Sequence, residues 1–130
     1  MEITIGQKAM ATRVFDRRSV EMFAALTGDF NPIHFDENYA RNTIFGKPLV
    51  HGPLVITLVT TLFATELPGP GSVYLSHDLR FVKPVFHNDE ITATLEVLSI
   101  NEKGHIFIDT TCRNQNGEIV IEGIARLKKF

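Results

Sequence analysis

Gly52-Pro53-Leu54-Val55-Ile56-Thr57-Leu58-Val59-Thr60-Thr61-Leu62-Phe63-Ala64-Thr65-Glu66-Leu67 runs directly into Pro68-Gly69-Pro70-Gly71, and the fold turns on this stretch. Leu54, Val55, Leu58, Val59, Leu62 and Phe63 recur at helical spacing, and Ile56 adds apolar surface on the other side. Pro53 takes the first helical turn, where its missing N–H is not needed, and the Pro/Gly run forces a stop. A helix so apolar around its circumference belongs inside a core. The chain beyond Gly71 is strand-like: Val73 to Phe81, Ile91 to Val97, Ile106 to Cys112 and Ile119 to Leu127. In the first, Val73, Leu75, Leu79 and Phe81 alternate with polar residues and predict its inward face. Ile119, Ile121, Ala125 and Leu127 do the same for the last. His87-Asn88-Asp89, Asn101 to Gly104 and Asn114 to Gly117 predict short turns and sequential antiparallel pairing. The expectation is α+β: an antiparallel sheet with the apolar helix filling its inner face.

Upstream, Ile3 and Ile5 alternate with polar neighbours and suggest a short first strand. Asp16 is placed to cap a helix carrying Val20, Phe23, Ala24 and Thr27, and Gly28 is a natural stop. Asp29 to His51 holds two Pro and little periodicity. It reads as a long excursion with a short helix near Asp36 to Asn42, and long irregular segments in compact domains are commonly functional.

The 130 residues, 44% hydrophobic and 22% charged, fit one soluble globular domain over residues 1–130. A net charge of −2 gives no drive toward nucleic acid or an anionic membrane surface. The single Cys, Cys112, leaves no internal disulfide and no multi-Cys zinc motif, and its strand context makes it a core residue. Met1-Glu2-Ile3-Thr4-Ile5 lacks a basic leader, and Leu54 to Ala64, interrupted by three Thr, is too short to span a bilayer. The expected location is the cytoplasm.

Chemistry concentrates in Thr27-Gly28-Asp29-Phe30-Asn31-Pro32-Ile33-His34. On a helix Asp29 and His34 would sit about 140° apart at 3.6 residues per turn. Gly28 stops the helix, however, and Pro32 pushes Asn31 toward extended backbone, so a bent chain can bring the two together. A carboxylate and an imidazole sharing one water suit acid–base work near neutral pH, with Asn31 orienting one of them. The same residue types are also ordinary turn formers. Val50-His51-Gly52-Pro53 opens the apolar helix, whose N-terminal N–H groups can receive an oxyanion, Gly52 allowing close approach. The plainer reading is a helix start with His51 packed or capping. Thr60 either faces a cavity or back-bonds to its own helix. Phe63 is core or a pocket wall. No spacing brings the five His together on a metal.

Phe23-Ala24-Ala25-Leu26-Thr27-Gly28-Asp29-Phe30-Asn31-Pro32-Ile33-His34, followed by Ala40, resembles the hydratase-2 motif of the MaoC-like (R)-specific enoyl-CoA hydratases. The similarity continues through Phe45-Gly46-Lys47-Pro48-Leu49-Val50-His51-Gly52 and through Pro68 to Tyr74, and spans essentially the whole chain. It implies a hot-dog fold, an antiparallel sheet wrapped around a long helix, in a homodimer with active sites at the interface. It implies Asp29 and His34 as the catalytic pair, Asn31 and Thr60 in support, and the Gly52 N–H as oxyanion donor. Leu58, Leu62 and Phe63 would shape the acyl pocket. The implied reaction is reversible syn hydration of a trans-2-enoyl-CoA to an (R)-3-hydroxyacyl-CoA, without metal or redox cofactor. A (3R)-hydroxyacyl-[acyl-carrier-protein] dehydratase would use the same site in reverse, and a non-catalytic acyl-thioester binding module is the alternative of a different class. A hot-dog thioesterase fits less well, because Glu66 is the only acid between Pro53 and Leu67.

Overall fold

The computed structural model describes residues 2–130, so Met1 of the leader reading and of the 1–130 domain span lies outside it. Five strands and three α-helices follow one another as β1 (Lys8–Phe15), α1 (Arg17–Thr27), α2 (Glu37–Arg41), α3 (Gly52–Thr65), β2 (Ser72–Phe81), β3 (Asp89–Ile100), β4 (His105–Arg113) and β5 (Ile119–Lys129). A 3₁₀ turn, Pro32–His34, lies between α1 and α2. The strands form one antiparallel sheet in the order β1-β3-β4-β5-β2, with α3 against its inner face. This is the α+β hot-dog arrangement.

The core is the meeting of α3 with alternate strand residues. Val55, Val59, Leu62 and Phe63 from the helix join Ile91, Leu95 and Val97 of β3, Ile108 and Cys112 of β4, and Ala125 and Leu127 of β5. Leu58 is buried there too. Burial pushes the Cys112 thiol up to about 12, which makes it inert packing. One stripe of α3 stays outside the core, and its Thr57, Thr60, Thr61 and Thr65 hydroxyls all bond back to helix carbonyls. The helix is therefore not enclosed all round. Among the described residues no helix is long and apolar enough to cross a membrane.

Three expectations need correction. The first strand is Lys8–Phe15, not Ile3–Ile5. Its Ala, Met and Lys content gives little strand signal, and pairing with β3 imposes the conformation. Second, β2 and β3 are not neighbours: β2 closes the far edge on β5, and only β3-β4-β5 is a true meander. The β2–β3 link is a crossing segment, in which Val82 N–H and Lys83 N–H donate to Val120 O while Val85 O accepts from Val50 N–H. Third, the inward faces differ at the sheet's edge. Val73, Leu75 and Phe81 are exposed on the edge strand β2, with only Leu79 packed to the core. A register shift beside Cys112 and Arg113 turns Val120 inward beside Ile121, leaving Ile119 half-buried.

Candidate active site

The loop after α1 is built by successive local caps. Asp16 accepts from Ser19 N–H and starts α1; Gly28 ends it at φ 81°, donating to Ala24 O at 2.7 Å. Asp29 Oδ1 then accepts from Asn31 N–H at 3.2 Å, and Asn31 Oδ1 accepts from Ile33 N–H at 3.1 Å. Pro32 begins the 3₁₀ turn with its φ already set. The turn-forming and functional readings of Asp29-Phe30-Asn31-Pro32 thus hold together: the caps make the reversal that returns His34 to Asp29.

The pair is tied to the rest of the fold from two sides. His34 Nδ1–H donates to Leu49 O at 2.9 Å, and Leu49 N–H donates to Ile33 O at 3.0 Å. His87 Nε2–H donates to His34 O at 3.0 Å. Because a carbonyl only accepts, Nδ1 of His34 carries the hydrogen and Nε2 is left as a free acceptor. Burial lowers the pKa of half-buried His34, opposed by the Leu49 carbonyl and by Asp29, and reinforced by His51 and His87. Burial likewise lowers His87.

One oxygen of Asp29 and one ring nitrogen each of His34 and His51 lie within 4.8 Å of one another. Two hydrogen bonds of ~2.8 Å meeting at a tetrahedral angle span about 4.6 Å, so a single water bridges such a gap. Within this cluster His51 Nε2–H is committed to Asp29 O at 3.0 Å, His34 Nδ1–H to Leu49 O, and Asp29 Oδ1 to Asn31 N–H.

A cavity of about 420 Å³ opens beside His34, walled by Phe45, Leu49, Val50, Gly52, Pro53, Val55, Phe81, Val82, Lys83, Pro84, Val85 and Ile121. Gly52 begins α3, and no residue among those described accepts its N–H or caps the helix with a side chain. Pro53 has no N–H, so Gly52 supplies the sole amide of the first two helical positions, with the positive end of α3 behind it. A Cβ on Gly52 would come within 2.6 Å of the Phe81 ring, so only glycine leaves this approach open.

The structure therefore brings Asp29, Asn31, His34 and Gly52 to one end of α3. It does not bring Thr60 there. Thr60 lies eight residues along α3, about 12 Å at 1.5 Å per residue, and its hydroxyl bonds back to Thr57 O at 3.3 Å. Leu58, Leu62 and Phe63 are buried in the core and do not line this cavity. His51 and His87 were missed as parts of the site. Neither spacing pointed to them, since their bonds run to backbone carbonyls 22 and 53 residues away.

The fold, the close Asp/His pair and the helix start without a side-chain cap define a site equipped for acid–base chemistry beside a largely apolar cavity. The chain belongs to the MaoC-like family: the MaoC like domain matches residues 2–117. It is 42% identical over 127 residues to the (R)-specific enoyl-CoA hydratase of Aeromonas caviae, covering 97% of this chain and 95% of that one. To the (R)-specific enoyl-CoA hydratase of Rhodospirillum rubrum it is 37% identical over 125 residues, 95% and 86% of the two chains. The structure superposes on the (R)-hydratase from A. caviae involved in PHA biosynthesis with a TM-score of 0.93 at 40% identity, covering 98% of each chain.

Proposed function

We propose that this chain is an (R)-specific enoyl-CoA hydratase, adding water reversibly and syn across a trans-2-enoyl-CoA to give the (R)-3-hydroxyacyl-CoA. The observation that carries the reading is that an Asp29 oxygen and a His34 ring nitrogen lie within 4.8 Å of each other, close enough to share one water, beside a cavity that Gly52 lines. Asp29 and His34 Nε2 each accept one hydrogen of the same water, leaving an oxygen lone pair for C3. As that C–O bond forms, Asp29 takes the water's proton as base and the thioester oxygen gains enolate charge. The Gly52 N–H faces that charge, a donor worth ~3–4 kcal/mol in comparable sites. The proton on Asp29 then passes to C2 on the face the water came from, which makes the addition syn and returns the carboxylate. His34 keeps the water oriented throughout. The step as written uses no metal and needs no redox cofactor, because one O–H bond and the C–C π bond are exchanged for a C3–O and a C2–H bond with no net oxidation or reduction.

The working unit we infer is a homodimer with its sites at the interface. β2 is a ten-residue edge strand with one side unpaired among the described residues. It exposes Val73, Tyr74, Leu75 and Phe81, apolar side chains spread over its two faces, and its unpaired backbone edge is open to pairing with another. Phe81 also walls the cavity, so a second copy seated on β2 would complete its mouth.

The test is loss of enoyl-thioester absorbance with crotonyl-CoA, chiral analysis of the product, and Asp29→Asn and His34→Ala as controls. Rapid formation of the (R)-3-hydroxy product, lost in both folded variants, is expected. Full turnover in either variant removes the assignment. Turnover only with carrier-protein thioesters moves the reading to the dehydratase. Ligand-induced stabilisation with no turnover on either carrier supports a binding module.

A further inference from the structure

His51 is the most enclosed polar side chain near the site, 1% exposed, and the hydration mechanism gives it no step. Its Nε2–H donates to Asp29 O at 3.0 Å and lies 3.9 Å from Asp29 Oδ2. Its ring stacks on His34, with centroids 3.8 Å apart and planes at 29°. Phe23 and Phe35 pack against its other sides, with centroids at 4.8 and 6.1 Å. Its own carbonyl accepts from Leu54 and Val55 N–H, the first bonds of α3, directly before Gly52. One residue therefore touches all three working parts: the backbone of Asp29, the ring of His34, and the helix start that presents the Gly52 amide.

The surroundings show why a histidine stands here and not a phenylalanine. The ring is packed by Phe23, Phe35 and the His34 imidazole, and its polar neighbours on the Nε2 side are the Asp29 carbonyl and, 3.9 Å away, the Asp29 carboxylate. His51 Nδ1 is buried with no hydrogen-bond partner among the described residues. A phenyl ring would fill the same slot without leaving that atom unpaired. What it would lose is the N–H that holds Asp29, and a fold needing only packing has no use for that bond.

We infer that His51 is a positioning residue: it anchors the Asp29 main chain through Nε2–H, and so fixes the Asp29 carboxylate against the stacked His34 ring at the spacing of one water. This rests on the hydratase reading for its catalytic consequence, but the anchor itself can be measured without turnover. The loop between Gly28 and Pro32 has no backbone hydrogen bond to the sheet among the described residues, and the His51 bond is its long-range tie.

The experiment compares His51→Phe with His51→Gln. Phenylalanine keeps the aromatic filling and loses the donor; glutamine keeps a donor that reaches the carbonyl and loses the ring. His51→Phe is expected to lower kcat by ~100-fold, the scale of a misplaced catalytic group, with KM within about threefold. His51→Gln is expected to return kcat to within about tenfold of wild type. In the unliganded proteins, hydrogen exchange at Asn31 N–H, which bonds Asp29 Oδ1, should quicken in His51→Phe and recover in His51→Gln. Wild-type kcat or unchanged Asn31 exchange in His51→Phe overturns the inference. So does a folded His51→Gln with kcat ~100-fold below wild type, and this arm decides even where His51→Phe does not fold. If wild type turns over no thioester, the hydratase reading fails, while the exchange comparison still settles whether His51 anchors Asp29.

Discussion

At the scale of the residue, Gly52 shows how much space one missing carbon leaves beside a neighbouring ring. Its Cβ would meet Phe81 Cε1 at 2.6 Å, and Phe81 is a side chain 56% exposed, free to swing. Gly52→Ala should therefore leave the fold within a few degrees in Tm, since the ring can yield. The yielding ring turns into the cavity that both residues wall, so kcat/KM should fall by about tenfold or more. Stopped assays with crotonyl-CoA beside thermal melts separate the two, and unchanged kcat/KM would show that the Gly52 approach is not used. His34 makes a second prediction here. Burial favours its neutral form and lowers its pKa below the usual 6.5. The mechanism uses that neutral form as acceptor, so kcat/KM should stay level as pH falls through 6.5 and drop only below it. An acid limb at or above 6.5 would contradict the assigned role. At this scale the convergence of Asp29 and His34 was legible, because the turn chemistry that makes it is local, while the roles given to them, to Asn31 and to Gly52 came from the family resemblance. His51 was legible only as a packed residue, because its partner lies across a fold that local spacing does not describe.

At the scale of the element, the strands most readable from sequence were those buried on one face. Ile91, Ala93, Leu95 and Val97 alternate along β3, and Ile106, Ile108, Thr110 and Cys112 along β4, and the burial follows both rows. Their turn is set by Asn101 Oδ1, which accepts from Lys103 and His105 N–H, and the next by Asn114 Oδ1, which accepts from Asn116 and Glu118 N–H. β1 escaped notice because an edge strand with one neighbour carries a weaker pattern, and β2 misled because its alternation does not mark a buried face. The position that decides how β2 joins the sheet is a gap in the β5 row, Gly123. A Cβ there would lie 2.0 Å from Asp78 O, a backbone atom that cannot move without β2. Gly123 O also accepts from Thr110 Oγ1 at 3.0 Å, and Thr110 in turn accepts from His77 Nε2–H at 2.8 Å. Gly123→Ala is accordingly expected to destabilise the protein by ~1–3 kcal/mol, the range for forced overpacking. Chemical denaturation would measure it, and a loss below about 0.5 kcal/mol, the usual scatter of surface changes, would show that the strands part freely.

At the scale of the whole molecule, pH and assembly act on the same set of elements. His34, His77 and His87 each have the pKa lowered, burial being the first cause in all three. The unfolded chain then binds more protons than the folded one just below pH 6.5, so stability is full above that value and falls as pH drops through it. Thermal melts from pH 8 to 5 should show Tm level first and then declining, and a rise on acidification would mean other groups dominate. Assembly gives the sharper test, because the sheet has two ends of different character. β1 ends it with Lys8 and Arg13 among its eight residues, charges that discourage pairing. β2 also carries two charges, Asp78 and Arg80, but one of each sign, and its first half is uncharged, with Val73 and Leu75 at 45% and 44% exposure. If a second copy docks on β2, Val73→Lys with Leu75→Lys should yield monomers by sedimentation, since two cations on each edge repel in the paired state and stay hydrated when apart. The cavity mouth at Phe81 and Val82 would then stand open to solvent, and turnover should fall with the dimer even though Asp29, His34 and Gly52 are untouched. A variant that remains dimeric would move the interface elsewhere. A fully active monomer would mean that the site, from the Asp29 loop to the start of α3, is complete within one chain.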